Sequence, residues 1–259
     1  MDILNGGGYK VTGQSSDFGI PFTELAGPGN VSLRLTEQGL QQLDNPYFAE
    51  LLDSTVSTVA RHDAMHEPSV AGVDPSRVLK VASPNEGDRN MSSVYADGQT
   101  IIKAGLDRNE GWIQFSVMNW LDVRLQENGS SIQAPTQLAH IESASGRPTT
   151  LMQQVNGQQL QSALHPLSGL VPRENRQEIH DNTIRTIHGE VVAAIGAKAT
   201  RVFINDMYQH GHVGNILVDG IPGSQDARYS IIDQPSFTTA KDRLILPLRF
   251  KQLRGKSNP

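Results

Sequence analysis

Ile204-Asn-Asp-Met-Tyr-Gln-His-Gly-His-Val-Gly-Asn-Ile-Leu-Val-Asp219, followed by Tyr229-Ser-Ile-Ile-Asp-Gln-Pro235, is the stretch on which the reading of this chain turns. Its polar first part predicts a loop. Ile216 to Val218 predicts a short strand, Asp219 to Arg228 a turn, and the run from Tyr229 a second strand that ends on Asp233. Such a hairpin carries an amide, Asn215, just before its first strand and a carboxylate, Asp233, at the end of its second. An ordinary β-hairpin with a turn Asn and a strand-end Asp has the same pattern, so the flanking chain decides.

Upstream, Ile179, Ile184, Ile187, Val191, Val192 and Ile195 recur at helical spacing and predict a long helix over 173–199. Further back the texture is β. Val78 to Ala82, Ser92 to Ala96 and Gln99 to Ala104 predict three strands, the last two joined at the hairpin signal Asp97-Gly98. Glu110 to Gln126 has helical apolar spacing and stops at Asn128-Gly129. Pro135 to Glu142 and Pro148 to Val155 predict two more strands, the second running into the polar Gln153-Gln154-Val155.

"GNILVDG…IIDQ" resembles the corresponding hairpin of aminoglycoside-phosphotransferase-like kinases and of protein kinases. The order βββαββ ahead of it resembles a kinase N-lobe. The resemblance implies an α+β, two-lobed kinase-like fold with a five-stranded N-lobe and a reduced helical C-lobe. It implies Asn215 and Asp233 as Mg²⁺ ligands, Lys103 late in the third strand on the phosphates of ATP, and Gln153 to Val155 as the adenine-binding hinge. Asp122 is the helix carboxylate at a fitting distance to hold Lys103, with Glu110 as the second choice. The glycine-rich loop of the family departs most, since the turn Ser83–Asn90 offers only Gly87.

At the acceptor end two alignments stay open. Counted back from Asn215 without gaps, the catalytic acid of the family falls on His210, with His212 as a further histidine; a loop longer by four residues puts Asp206 there. A third possibility is a pseudokinase in which neither acts. A rival assignment groups Asp206, His210 and His212 as a three-ligand metal site of a hydrolase.

The remaining chain expectations are a flexible leader over 1–30, a helical N-terminal appendage over 31–72, the N-lobe over 73–157 and the C-lobe over 158–259. The leader has only isolated apolar residues and many Gly, Ser, Thr and Asn. Uncharged polar leaders of this kind resemble those of proteins that bacterial injection systems export into host cells; a plain disordered terminus is the alternative. In the appendage Thr36 looks like a helix cap, and Asn45-Pro46 splits the apolar periodicity into two helices. His62 and His66, four apart, read as solvated or capping residues. A net charge of −5 argues against a nucleic-acid surface. No apolar run reaches a membrane span, and zero cysteines exclude disulfides and thiolate chemistry. The chain is short for the helical insert with which small-molecule phosphotransferases enclose substrates, so a protein, such as a host protein, is the expected acceptor. AMP transfer within the same fold is the other transferase reading.

Overall fold

Short strands rich in apolar and β-branched residues build an antiparallel sheet in the computed structural model, which describes residues 8–65, 79–82, 93–104, 108–142, 148–210 and 215–232. Its strands are β1 (Lys10–Asp17), β2 (Ile20–Ala26), β3 (Ser32–Leu35), β4 (Leu79–Ala82), β5 (Ser93–Asp97) and β6 (Thr100–Ala104), followed after β7 (Ile132–Gln133) by β8 (Gln137–Glu142) and β9 (Thr149–Gln153). The spatial order is β1-β2-β3-β8-β9-β6-β5-β4. Within it the five strands expected from the sequence lie side by side, with a helical segment inserted between β6 and β8. That is the anticipated order βββαββ, and the fold is α+β.

The sheet has eight strands rather than five because the N-terminal third joins it. Residues 10–26, expected as flexible leader, form the β1–β2 hairpin, and β3 extends it by pairing Leu33 with Ile141 and Leu35 with Ala139. The apolar residues there are few, but Phe22, Leu25, Val31, Leu33 and Leu35 are each at most 2% exposed. They add to a core the later strands already provide, so they need not bury enough surface for a core of their own. Burying one such side chain is worth about 1.5–3 kcal/mol.

The helical appendage is likewise part of that core. Thr36 caps α1 (Glu37–Gln42), its hydroxyl accepting from the Gly39 N–H at 3.0 Å, and α2 (Pro46–Met65) starts with proline in its first turn. The Asn45-Pro46 break therefore falls where the sequence put it. From these helices Leu43, Phe48, Leu52 and Val56 pack with Leu33, Leu35, Ile102 and Leu151 of the sheet. Of His62 only the backbone, within α2, is described, and His66 lies outside the described residues.

The chain divides into two compact units, 1–116 with 136–154 and 117–135 with 155–259. The second unit holds a small sheet of order β10-β11-β12-β7, with β10 (Gln158–Gln159), β11 (Ile216–Asp219) and β12 (Arg228–Ile231). The segment expected as one helix over 110–126 is three pieces: α3 (Arg108–Trp112), a π-helical stretch (Ile113–Val117) and α4 (Met118–Glu127). In the second unit α4 packs on α6 (Arg176–His210), which follows the short α5 (Leu160–Ala163).

Helix α6 corrects one expectation about the key stretch. It breaks at Gly196 (φ 81°, ψ 153°), a conformation only glycine adopts without strain, and then resumes through His210. Residues 204–210 are therefore helical rather than loop. Val202, Phe203, Ile204 and Met207 keep a helical apolar spacing in the sequence, and extending an existing helix costs far less than nucleating one.

Candidate functional site

Lys103 sits one residue before the end of β6, opposite Val94 on one side and Thr150 on the other. It is only 7% exposed. Its Nζ donates to Gln114 Oε1 at 3.1 Å, and Gln114, itself fully buried, comes from the π-helical stretch that lies over this face. A buried ammonium costs several kcal/mol in lost hydration unless polar groups receive it, so a lysine held in this way is organised by the fold. Single π-turns inside helices recur at functional sites.

The strand register extends this position into a line. Thr150 pairs onward with His140, His140 with Arg34, and Arg34 with Glu24. Registered partners in neighbouring strands point to the same face, so Glu24, Arg34, His140, Thr150 and Lys103 form one polar row across β2, β3, β8, β9 and β6. The opposite face carries Leu35, Ala139, Leu151 and Ile102 in the same register and packs beneath α1 and α2.

Within the row Arg34 Nε lies 3.5 Å from Glu24 Oε1, both half-exposed. His140 is 4% exposed, with the Phe115 ring 5.3 Å from its own and Glu142 Oε2 3.9 Å from its Nε2. Burial pushes its imidazole below the ordinary range, partly opposed by Glu142. The Glu142 carboxyl is held low, chiefly by the His140 N–H and also by Arg108, whose Nε is 2.7 Å away. Among the described residues no hydrogen-bond partner meets His140 Nδ1 or Thr150 Oγ1.

The hinge candidates close β9. The Gln153 N–H donates to the Thr136 carbonyl at 2.9 Å and the Gln154 N–H to the Gln99 carbonyl at 2.7 Å. Both side chains are exposed, and Val155, where the chain returns to the second unit, is half-buried.

In the second unit β11 and β12 form the expected hairpin, Ile216 opposite Ile231 and Asp219 opposite Arg228. Ile216, Val218 and Ile231 are buried, which fixes the register. Asn215 is half-buried just ahead of β11, and its carbonyl accepts from the Ile232 N–H at 2.9 Å. That bond closes the hairpin one residue before Asp233, which itself lies outside the described residues, as do His212 and the turn with Gly87. Asp122 is buried on α4 and accepts from Gln126 Nε2 at 2.9 Å. Asp206 and His210 stand one turn apart on the second half of α6, and only their backbone is described.

Lys103 and Gln153 thus belong to the first unit, and Asp122, Val155, Asp206, His210 and Asn215 to the second. The sequence reading missed Gln114, which meets Lys103. The signal was there: Gln114 and Ser116 are the polar residues inside the apolar run Trp112-Ile-Gln-Phe-Ser-Val-Met118. A polar side chain forced into such a run must find a partner.

Among the described residues no group of three or more His, Asp or Glu side chains is arranged to hold a metal ion, and no helix is long and apolar enough to cross a membrane. No protein-family model matches the sequence, and neither does any curated protein. Among solved structures the chain is similar to that of the GDP and kanamycin complex of APH(2″)-IIIa, an aminoglycoside phosphotransferase, at 12% identity over 71% of this chain and 78% of that one, with a TM-score of 0.32.

Proposed function

We propose that this chain is a kinase-like phosphotransferase that uses ATP and Mg²⁺ and has a protein acceptor. The observation that carries the proposal is Lys103: a buried lysine late in the third strand of a βββαββ arrangement, gripped from the following helical segment. A lysine with no task in that place is normally solvated.

The residues present fit the groups the reading requires. A buried ammonium suits the α- and β-phosphates of ATP, and the end of β9 with Gln153 to Val155 offers backbone for an adenine edge. Asn215 supplies an amide oxygen ahead of β11, and the Asn215–Ile232 bond brings the chain to Asp233 from the paired strand. Mg²⁺, when bound, neutralises charge on the phosphate oxygens during transfer. The protein's part is positioning: Lys103 orients the phosphates, Asn215 and Asp233 hold the ion, and a base near the acceptor receives the hydroxyl proton. Asp206 and His210 are the candidates for that base. Both lie on the second half of α6, and His210 is the residue that falls five before Asn215 without a gap.

A binding module of the same fold without turnover is the second reading, and AMP transfer the third. Intact-mass measurement after incubation with ATP, Mg²⁺ and a protein acceptor separates them. A phosphate-sized addition supports the proposal, an AMP-sized addition the third reading, and binding of ATP without any addition the second.

A further inference from the structure

The turn Asp17-Phe18-Gly19-Ile20 joins β1 to β2 with left-handed φ at Phe18 (55°) and Gly19 (80°), the two-residue hairpin that matches strand twist. Its first residue does more than turn the chain. Asp17 is 4% exposed, and its Oδ2 accepts from Trp112 Nε1 at 3.0 Å and from Ser116 Oγ at 2.7 Å. Phe18, 1% exposed, lies 6.1 Å from the Trp112 ring between centroids, and Phe22 lies 5.1 Å from Phe115. The N-terminal hairpin therefore holds the segment 112–116 at successive points.

Gln114 lies midway between the two residues that Asp17 grips. Residues two apart on a helix face roughly opposite sides. Trp112 and Ser116 are turned toward the hairpin, and Gln114 is turned to Lys103. Fixing one side of the segment at two points sets its rotation about its own axis, and that rotation decides whether the Gln114 amide reaches Nζ. Two charge-assisted bonds from one buried carboxylate are strong enough for this task.

We propose that Asp17 is the positioning residue for Lys103: through Trp112 and Ser116 it fixes the helical segment so that Gln114 holds the lysine in place. Its consequence for nucleotide binding rests on the function proposed above; the mechanical coupling does not. The N-terminal hairpin is on this account a working part of the phosphate site.

The test reads Lys103 directly. The full chain is treated with a limiting amine-acetylating reagent, and the labelling rate of Lys103 is followed by peptide mass mapping against the exposed Lys198 in the same digest. Variants are Asp17→Ala, the milder Ser116→Ala, Gln114→Leu and the double Asp17→Ala/Gln114→Leu, each assayed well below its melting temperature. Asp17→Ala and Gln114→Leu are each expected to raise Lys103 labelling about fivefold or more, Ser116→Ala less, and the double variant no more than the larger single, as coupled residues do. Wild-type labelling in Asp17→Ala with raised labelling in Gln114→Leu overturns the proposal, and so do single effects that multiply in the double. In a second arm, ATP with Mg²⁺ is titrated into wild type and Asp17→Ala, with an expected loss of about tenfold in affinity. Equal affinity overturns the link to the site. If the wild type binds no nucleotide, the proposed function falls, and the labelling arm still decides whether Asp17 positions Lys103.

Discussion

Replacing His140 by Gln should remove a component of the acid sensitivity of this fold. The imidazole is buried beneath Phe115, and it faces Glu142 on its own strand, Arg34 on β3 and Asp17 at the hairpin turn. Desolvation dominates and lowers its folded-state pKa, so the folded chain keeps it neutral where the unfolded chain protonates it. The unfolded state then binds more protons, and stability falls as pH drops through the unfolded value of about 6.5 toward the lower folded one. With the folded imidazole neutral throughout, the loss between about pH 7.5 and 5.5 amounts to up to about 1.4 kcal/mol. Urea unfolding of wild type and His140→Gln at several pH values across this window measures it. The wild type should lose up to about 1.4 kcal/mol more than the variant. The shift of Glu142 acts at lower pH and leaves the comparison undisturbed. Equal losses in both proteins would refute the reasoning.

Leu35→Ala should cost about 2–5 kcal/mol, because the side chain is fully buried between β2 and β8; a cost under about 0.5 kcal/mol by chemical denaturation would mean that the N-terminal strands are not part of the core. Asp233→Asn should abolish Mg²⁺-dependent nucleotide binding or turnover while Asn215→Ala harms it less, since a carboxylate brings full charge to the ion and an amide only a dipole; a fully active Asp233→Asn protein makes the hairpin merely structural. At the acceptor end, His210→Asn should lower turnover by about 10²-fold or more with ATP binding intact, and wild-type activity should fall as the imidazole protonates below about pH 6.5. A pH profile flat through that region with an inactive Asp206→Asn protein would assign the role to Asp206.

Local signals proved legible wherever one residue settles one backbone choice. Thr36 caps α1, Asn45-Pro46 separates α1 from α2, Asp97-Gly98 turns β5 into β6, and Asn128-Gly129 ends α4. Interactions distant in sequence were not. The β1–β2 hairpin looks too polar to order alone, and it does not order alone: β3 zips it onto β8, more than a hundred residues away. The polar residues after Phe203 suggested a loop, yet helix propagation from α6 carried them along. The position of Lys103 could be read from its strand, but its burial could not. That depends on Gln114 arriving from a π-turn, and on Asp17 holding the turn down.

The account stands or falls on whether Lys103 serves a nucleotide. Thermal unfolding of wild type and Lys103→Ala, each titrated with ATP and Mg²⁺, tests this most directly. The substitution itself should destabilise by about 1–3 kcal/mol, because it strands the buried Gln114 amide, so each protein is compared with its own nucleotide-free baseline. The wild type should gain about 2.7 kcal/mol at a ligand concentration near 100 times Kd, and Lys103→Ala should gain little or nothing at that concentration. No stabilisation of the folded wild type at millimolar ATP, or equal stabilisation of both proteins, would contradict it.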